Sequence, residues 1–214
     1  MILESATSER AAALLVETDE PAGPEAALMG RYCDGDARAF HQLYALCAPK
    51  ILGYLTGLVR ERAAAEDLLQ LTFLKVHQAR QQYVRDANPV PWIYTIAHRT
   101  FLDELRRKKA TRMQLTSDGH LSHEPRATLS GDAEAATGTE TDGGAGGLSV
   151  ADLDCLPANQ KEALILTKVH GRSVSEAALI TGSSPGAIKQ RAHRAYVTLR
   201  ERFARRQSRV EDLA

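Results

Sequence analysis

The sequence predicts an all-α protein: two small helical domains joined by a flexible linker, the C-terminal one a helix-turn-helix. Three observations lead there. Apolar residues make up 43% of the chain and aromatics only 5%, with Ala and Leu dominating over Val, Ile and Tyr, a balance that favours helices over sheets. Apolar residues recur at helical spacing in two stretches, separated by a Gly-rich, acidic segment with few large side chains. The length of 214 residues suits one medium domain or two small ones.

Taken in chain order, residues 1–29 read as a mobile extension, acidic and Ala-rich and interrupted by Pro21-Ala22-Gly23-Pro24, with at most a short helix. A helical domain is expected over 30–112. Its first pattern runs through Phe40, Leu43, Tyr44, Cys47, Ile51, Leu52, Leu55, Leu58 and Val59, and Pro49 inside it should kink or split the helix. A second helix starts near Ala63 and places Leu69, Phe73 and Val76 at i, i+4 and i+7. Pro89-Val90-Pro91 is expected to stop regular structure before Trp92 opens a further helix with Ile93, Ile96, Ala97, Phe101 and Leu105 on one side. Residues 113–147 read as a flexible acidic linker, because so few large apolar residues cannot offset the entropy of ordering it. The second domain is expected over 148–206, with a tail at 207–214.

The formal net charge of zero is an average over unlike blocks. Lys189, Arg191, Arg194, Arg200, Arg202, Arg205, Arg206 and Arg209 face only Glu201 between Pro185 and Arg209. Arg99, Arg106, Arg107, Lys108, Lys109 and Arg112 form a second basic run, opposed by Asp103 and Glu104. Between Met113 and Gln160 the balance is acidic, with Arg126 the sole basic residue apart from histidines. Segregation of this kind marks interaction surfaces.

Several classes of chemistry are poorly served. Cys33, Cys47 and Cys155 lack Cys-x-x-Cys spacing and read as buried free thiols in a reducing compartment. His120 and His123 have no further ligands nearby, so no metal is expected. The run Gly143-Gly144-Ala145-Gly146-Gly147 is not followed by the Gly-Lys-Ser/Thr of a phosphate loop. No nucleophile–base set or paired catalytic carboxylates stand out, so the expectation is no catalytic residues, no cofactor and no enzyme. An acidic N-terminus without a basic flank is not a signal peptide, and no stretch approaches the ~20 apolar residues of a bilayer span, which predicts a cytoplasmic protein.

The C-terminal pattern is the most informative. Gly171 should end the helix that follows Leu156-Pro157. Ser173-Val174-Ser175-Glu176 is a capping box opening a short helix to about Ile180, broken by Thr181-Gly182-Ser183-Ser184. Ser184-Pro185 is a second start signal. The next helix carries an apolar or small stripe at Ile188, Ala192, Ala195, Leu199 and Phe203, with Lys189, Gln190, His193 and Arg194 facing away. This is the plan of a helix-turn-helix whose second helix lies in the major groove; the alternative is a helical hairpin with a solvated basic face.

Leu156-Pro157, Gly171-Arg172-Ser173-Val174-Ser175-Glu176-Ala177-Ala178, Gly182 and Ile188-Lys189-Gln190-Arg191-Ala192-His193-Arg194-Ala195 resemble the C-terminal promoter-reading domain of extracytoplasmic-function sigma factors, the smallest members of the sigma-70 family. Gly35-Asp36-Ala37-Arg38-Ala39-Phe40-His41-Gln42-Leu43-Tyr44, Ala65-Glu66-Asp67-Leu68-Leu69-Gln70-Leu71-Thr72-Phe73-Leu74, Trp92-Ile93 through Ile96-Ala97, and Leu102-Asp103-Glu104-Leu105-Arg106-Arg107 resemble its core-binding domain. In this order the blocks cover both domains.

The resemblance implies a sigma factor that binds core RNA polymerase, directs initiation at specific promoters and melts them. It assigns Asp67, Gln70 and the neighbouring Leu71 to the coiled-coil clamp helices of the polymerase largest subunit, the alternative being a solvated helix face. It places capture of an unstacked minus-ten base at the loop Gln81–Pro91, with Tyr83, Trp92 and Tyr94 as aromatic candidates, Trp92 being equally a candidate core residue. Arg99, Arg106, Arg107 and Lys108 would hold the DNA backbone. Lys189, Gln190, His193 and Arg194 match the minus-thirty-five readers, while Arg191, in the same surface, suits a phosphate or solvent, as do Arg200 and Arg202. It further implies an anti-sigma factor, commonly membrane-anchored, and a linker that either threads toward the polymerase active centre or serves as a solvated tether. The chain departs from the family pattern at Leu71, where Glu is common, and at His98-Arg99, where Arg-Asn is common. The rival readings are a dimeric helix-turn-helix regulator independent of polymerase and a small nucleic-acid-modifying enzyme.

Overall fold

A computed structural model describes residues 23–59, 61–117 and 150–211, and among them every regular element is helical. Residues 1–22 of the expected extension and 118–147 of the expected linker, with His120, His123 and most of the linker acids, lie outside the described residues. No helix among the described residues is long and apolar enough to cross a membrane.

The N-terminal domain begins earlier than expected. Helix α1, Pro24–Cys33, takes Pro24 at its first position, where the missing N–H costs nothing, and buries Ala26, Met29 and Tyr32. Pro24, the last residue of the run that suggested a break, is thus the start signal of this helix, with Gly23 at its N-cap. Asp34 and Gly35 end α1, Gly35 with φ of +99°. Asp36 then caps α2, Ala37–Leu58, by accepting from the amides of Arg38 and Ala39. Leu43, Cys47, Ile51, Tyr54 and Leu55 form the buried stripe of α2. Pro49 does not split it. Both Pro49 and Ala45, whose carbonyl loses its partner, lie on the exposed side, so water satisfies the orphaned group.

Helix α3, Arg62–Ala79, packs Leu68, Leu69, Phe73 and Val76 against α2. The buried Thr72 hydroxyl donates to the Leu68 carbonyl at 2.7 Å. A short 3-10 turn, Arg80–Gln82, leads into the loop before α4, Pro89–Ser117. Here too the structure departs from expectation: Pro89, Val90 and Pro91 are the first turn of the helix. The Asn88 side chain accepts from the Val90 amide at 3.0 Å, and prolines are tolerated where intrahelical donors are not needed. From Val90 to Ala97 nearly every residue of α4 is buried, whereas beyond Phe101 the helix emerges as an exposed basic arm.

The C-terminal domain comprises α5 (Val150–Leu153), α6 (Ala158–Leu164) continuing through a π-helical turn at Ile165–Val169, α7 (Val174–Thr181) and α8 (Pro185–Glu211). Gly171 at φ of +61° turns the chain from the π-helical turn into α7. Ala163, Leu164, Leu166, Ala177, Ala178, Ile180, Ile188, Ala195 and Leu199 make its core, which is continuous with that of the first domain. Helix α8 outlasts the expected domain end at 206 and continues to Glu211.

Ile188 is fully buried at the contact between α7 and α8. Ile188→Ala is expected to lower unfolding stability by ~2–5 kcal/mol, read as a shift of the urea midpoint followed by circular dichroism.

Candidate nucleic-acid interface

The helix-turn-helix is built as its local sequence requires. Ser173 Oγ accepts from the Glu176 amide at 3.1 Å while Glu176 Oε2 accepts from the Ser173 amide at 2.8 Å, so two donors at the start of α7 are satisfied reciprocally. Gly182, at φ of +63°, closes α7 in the left-handed conformation that disfavours a side chain. Ser184 Oγ then accepts from the Ala187 amide at 3.2 Å and starts α8. With Ile188, Ala195 and Leu199 turned inward, Lys189, Gln190, His193 and Arg194 are exposed, and their i, i+1, i+4, i+5 spacing gathers them on one face.

Arg191 is placed differently. Its guanidinium donates to Ser183 Oγ at 2.8 Å, which ties the recognition helix to the turn before it. Arg191 remains half-buried, with one guanidinium nitrogen engaged in this brace.

On the first domain, Asp67, Gln70 and Leu71 are exposed together on α3, and Leu74 joins them one turn on. Leu71 and Leu74 are 45% and 52% exposed, an apolar strip flanked by polar groups such as a protein interface uses. Leu74 carried no separate signal in the sequence, because any leucine on an amphipathic helix is first a candidate for the core.

The aromatic candidates are not at the surface. Trp92 is a core residue, and Tyr83 packs beside it with ring centroids 5.8 Å apart. The Tyr83 hydroxyl donates to the Ala87 carbonyl. Burial, with Cys33 and Asp86 nearby, pushes its pKa up to about 12. Both therefore act as pillars of the loop rather than as ring faces open to a base. What the loop exposes is Val84, Arg85 and Asp86, with Arg85 held to Asp34 at 2.5 Å.

Tyr94 is buried between the domains. Its hydroxyl shares a 3.1 Å hydrogen bond with His170 Nδ1, and the Arg172 guanidinium carbon lies 5.9 Å from its ring centre. Beside it, the Tyr54 hydroxyl donates to Glu162 Oε1 at 2.6 Å, and His98 Nδ1 donates to the same oxygen at 2.6 Å. Tyr54 and Tyr94 meet edge to face at 5.3 Å. The helices approach closely at two glycines: a Cβ at Gly57 would stand 2.8 Å from Ile165 Cδ1, and one at Gly53 3.3 Å from His170 Cε1. Sequence reasoning missed this seam, since no local pattern links Tyr54 to Glu162.

The basic arm of α4 is partly self-neutralised. Arg107 makes two 2.7 Å bonds to Glu104, and Arg106 pairs with Asp103 at 3.1 Å. Lys108 reaches Glu104 at 3.7 Å. Exposed pairs of this kind are worth only ~0–1 kcal/mol, so a phosphate can displace the acid. Arg99 is half-buried. Among the described residues, no group of His, Cys, Asp and Glu is placed to hold a metal.

Two helical domains, one a helix-turn-helix with an exposed polar reading face and the other bearing an apolar docking strip and a basic arm, define a DNA-binding factor with a protein partner. Residues 43–111 match the family model for sigma-70 region 2, and residues 153–199 that for sigma-70 region 4. The chain is 38% identical over 173 residues to the RNA polymerase sigma factor CarQ of Myxococcus xanthus, covering 81% of this chain and 94% of the relative. It is 31% identical over 184 residues to the ECF sigma factor SigF of Caulobacter vibrioides, covering 84% and 93%. Among solved structures, the sigma factor RpoE of Bartonella quintana, crystallised with the anti-sigma factor NepR, superposes with a TM-score of 0.61 at 27% identity, over 77% of this chain and 96% of that one. The chain belongs to the extracytoplasmic-function sigma factors of the sigma-70 family. It binds core RNA polymerase and directs promoter-specific transcription initiation.

His170 supplies a pH dependence. Burial, assisted by the positive charge of Arg172, lowers its pKa from about 6.5 to about 4. The unfolded chain therefore takes up this proton first as pH falls, so the group's contribution is intact above about 6.5 and is lost between about 6.5 and about 4. Thermal melts over that range should show a loss of roughly 2–3 kcal/mol from this group, and His170→Gln should have a correspondingly shallower pH slope.

Proposed function

We propose that this sigma factor also melts the promoters it selects, dividing the task between the two domains. Lys189, Gln190, His193 and Arg194 read the minus-thirty-five element in the major groove. Lys or Arg donates to guanine O6 and N7, and Gln pairs with adenine. Arg191 fixes the angle of the reading helix through Ser183. Asp67, Gln70 and Leu71, extended by Leu74, dock on the clamp helices of the polymerase largest subunit. Arg99, Arg106, Arg107 and Lys108 hold the backbone of the opening duplex, exchanging Asp103 and Glu104 for phosphate.

Tyr83 and Trp92 support the minus-ten loop from beneath, and Tyr94 is the aromatic that meets an unstacked base once the domains part. The protein performs no catalysis of its own; the polymerase supplies the chemistry. Its place of action is the cytoplasm, where core polymerase and promoter DNA are found. An anti-sigma factor is the expected antagonist, a reading supported by the RpoE–NepR complex. The observation that carries the division of labour is the exposure of the four readers on one face of α8, with the apolar stripe of that helix buried behind them.

Run-off transcription with purified core polymerase on a genomic promoter library tests the proposal. Promoter-specific products, with permanganate-reactive thymines near the start site, are expected; products without an open bubble would overturn the melting role. Gln190→Ala should lose ~1–3 kcal/mol of discrimination at one minus-thirty-five base pair, measured by initiation from single-base promoter variants. Asp67→Arg should weaken core binding in a fluorescence titration while leaving the helical circular dichroism unchanged.

A further inference from the structure

We propose, resting on the minus-ten role proposed for the loop Gln81–Pro91, that the end of α1 sets the shape of that loop, with Asp34 as the residue that positions its exposed tip through Arg85. Three consecutive side chains each grip one point of the chain leading into the tip. The Tyr32 hydroxyl shares a hydrogen bond with Nδ1 of His77, in the last turn of α3. The Cys33 thiol donates to the Arg80 carbonyl at 3.2 Å. The Asp34 carboxylate accepts both prongs of the Arg85 guanidinium, at 2.5 and 3.3 Å.

Asp34 stands on a rigid corner. Met29 and Tyr32 anchor α1 in the core, and the Tyr32 ring packs on Phe40 with centroids 4.8 Å apart. The amides of Asp34, Gly35 and Asp36 donate to the carbonyls of Gly30, Tyr32 and Arg31 at 3.1, 3.0 and 3.0 Å, so the turn between α1 and α2 has little freedom. The tip at Val84, Arg85 and Asp86 is exposed. Its base is closed by the Tyr83 hydroxyl on the Ala87 carbonyl and by the Ala87 amide on the Val84 carbonyl at 3.3 Å. Asp86 has a left-handed φ of +65°, which a residue with a side chain keeps only where its surroundings impose it. Arg85 and Asp34 are 63% and 57% exposed, and exposed pairs add little to stability. A two-pronged guanidinium–carboxylate contact does fix orientation. The pair therefore acts on where the tip sits, and a loop already in its bound shape loses less to ordering when it meets the unwound strand.

Asp34→Ala is the direct test, because the side chain is exposed and its loss leaves the core intact. The probe is a fluorescent single-stranded oligonucleotide carrying the minus-ten sequence of a promoter recovered by run-off transcription, titrated with the holoenzyme beside a scrambled oligonucleotide of equal length. Asp34→Ala should weaken binding of the minus-ten oligonucleotide several-fold, with binding of the scrambled one and of core polymerase unchanged. Asp34→Glu, which keeps the carboxylate fork, should recover most of the loss. Arg85→Gln should lose as much as Asp34→Ala, and the double variant no more than either, because both act through one contact. Hydrogen exchange at the amides of residues 84–87 should rise in Asp34→Ala with no change across α2. Undiminished selectivity in Asp34→Ala overturns the positioning role. So do losses that add in the double variant, and so does tighter binding of both oligonucleotides, which would make Asp34 a mask over Arg85. A combined Val84→Gly, Arg85→Gly and Asp86→Gly variant separates the two levels of the proposal. Loss of selectivity there with none in Asp34→Ala removes the role of Asp34 alone, whereas no loss in either removes the minus-ten role of the loop as well.

Discussion

The segment of α4 between Val90 and His98 has almost no face toward water, and the arrangement of the molecule follows from that constraint. A helix apolar on one side needs one neighbour; one enclosed all round needs two layers. Helices α2 and α3 provide the first layer through Leu43, Ile51, Leu55, Leu69 and Phe73, and the second domain provides the other through Glu162, Ile165 and His170. The second layer continues the apolar core and adds hydrogen-bonding side chains to it. Tyr54, Tyr94 and His98 accordingly have an apolar side that belongs to their own domain and a hydrogen-bonding tip that belongs to the other.

Much of the architecture was legible because it is local. The Ser173–Glu176 box, the glycines at 171 and 182, and the Ser184-Pro185 start each act within a few residues, so spacing alone identifies them. The exposed reading face of α8 follows from the buried stripe opposite it. The misreadings concern proline. At Pro24, and in the run Pro89–Pro91, proline opens a helix instead of ending a segment, and at Pro49 an exposed position tolerates it in mid-helix. Proline marks a missing donor; whether the donor was needed depends on where the helix begins, which the residue itself does not encode.

The interdomain contact lay beyond sequence reasoning for a different reason. Glu162 sits on an ordinary-looking helix, and nothing near it distinguishes a carboxylate that accepts from Tyr54 and His98 from one that faces water. The same holds for the three aromatic residues around the start of α4. Tyr83, Trp92 and Tyr94 are equivalent as composition, yet two support a loop and the third lies between domains. Burial depends on distant partners, and one sequence without its contacts gives those three side chains the same standing. The basic arm is a milder case: the charges were plain, but their pairing with Asp103 and Glu104 sets how much field they project.

The length of α8 adds a mechanical consequence. Its 27 residues span ~40 Å at 1.5 Å per residue, but the buried stripe ends at Leu199, and residues 200–206 are exposed. The helix is thus a spar held at two places, by its buried stripe and, farther along, by Arg206, whose guanidinium lies 3.9 Å from the Asp152 carboxylate. Lys189 and Arg194 near the first hold, and Arg205 and Arg206 near the second, are carried on one continuous helix. The heading of the positive charge along this helix is therefore set at two side chains, Arg191 on Ser183 and Arg206 on Asp152.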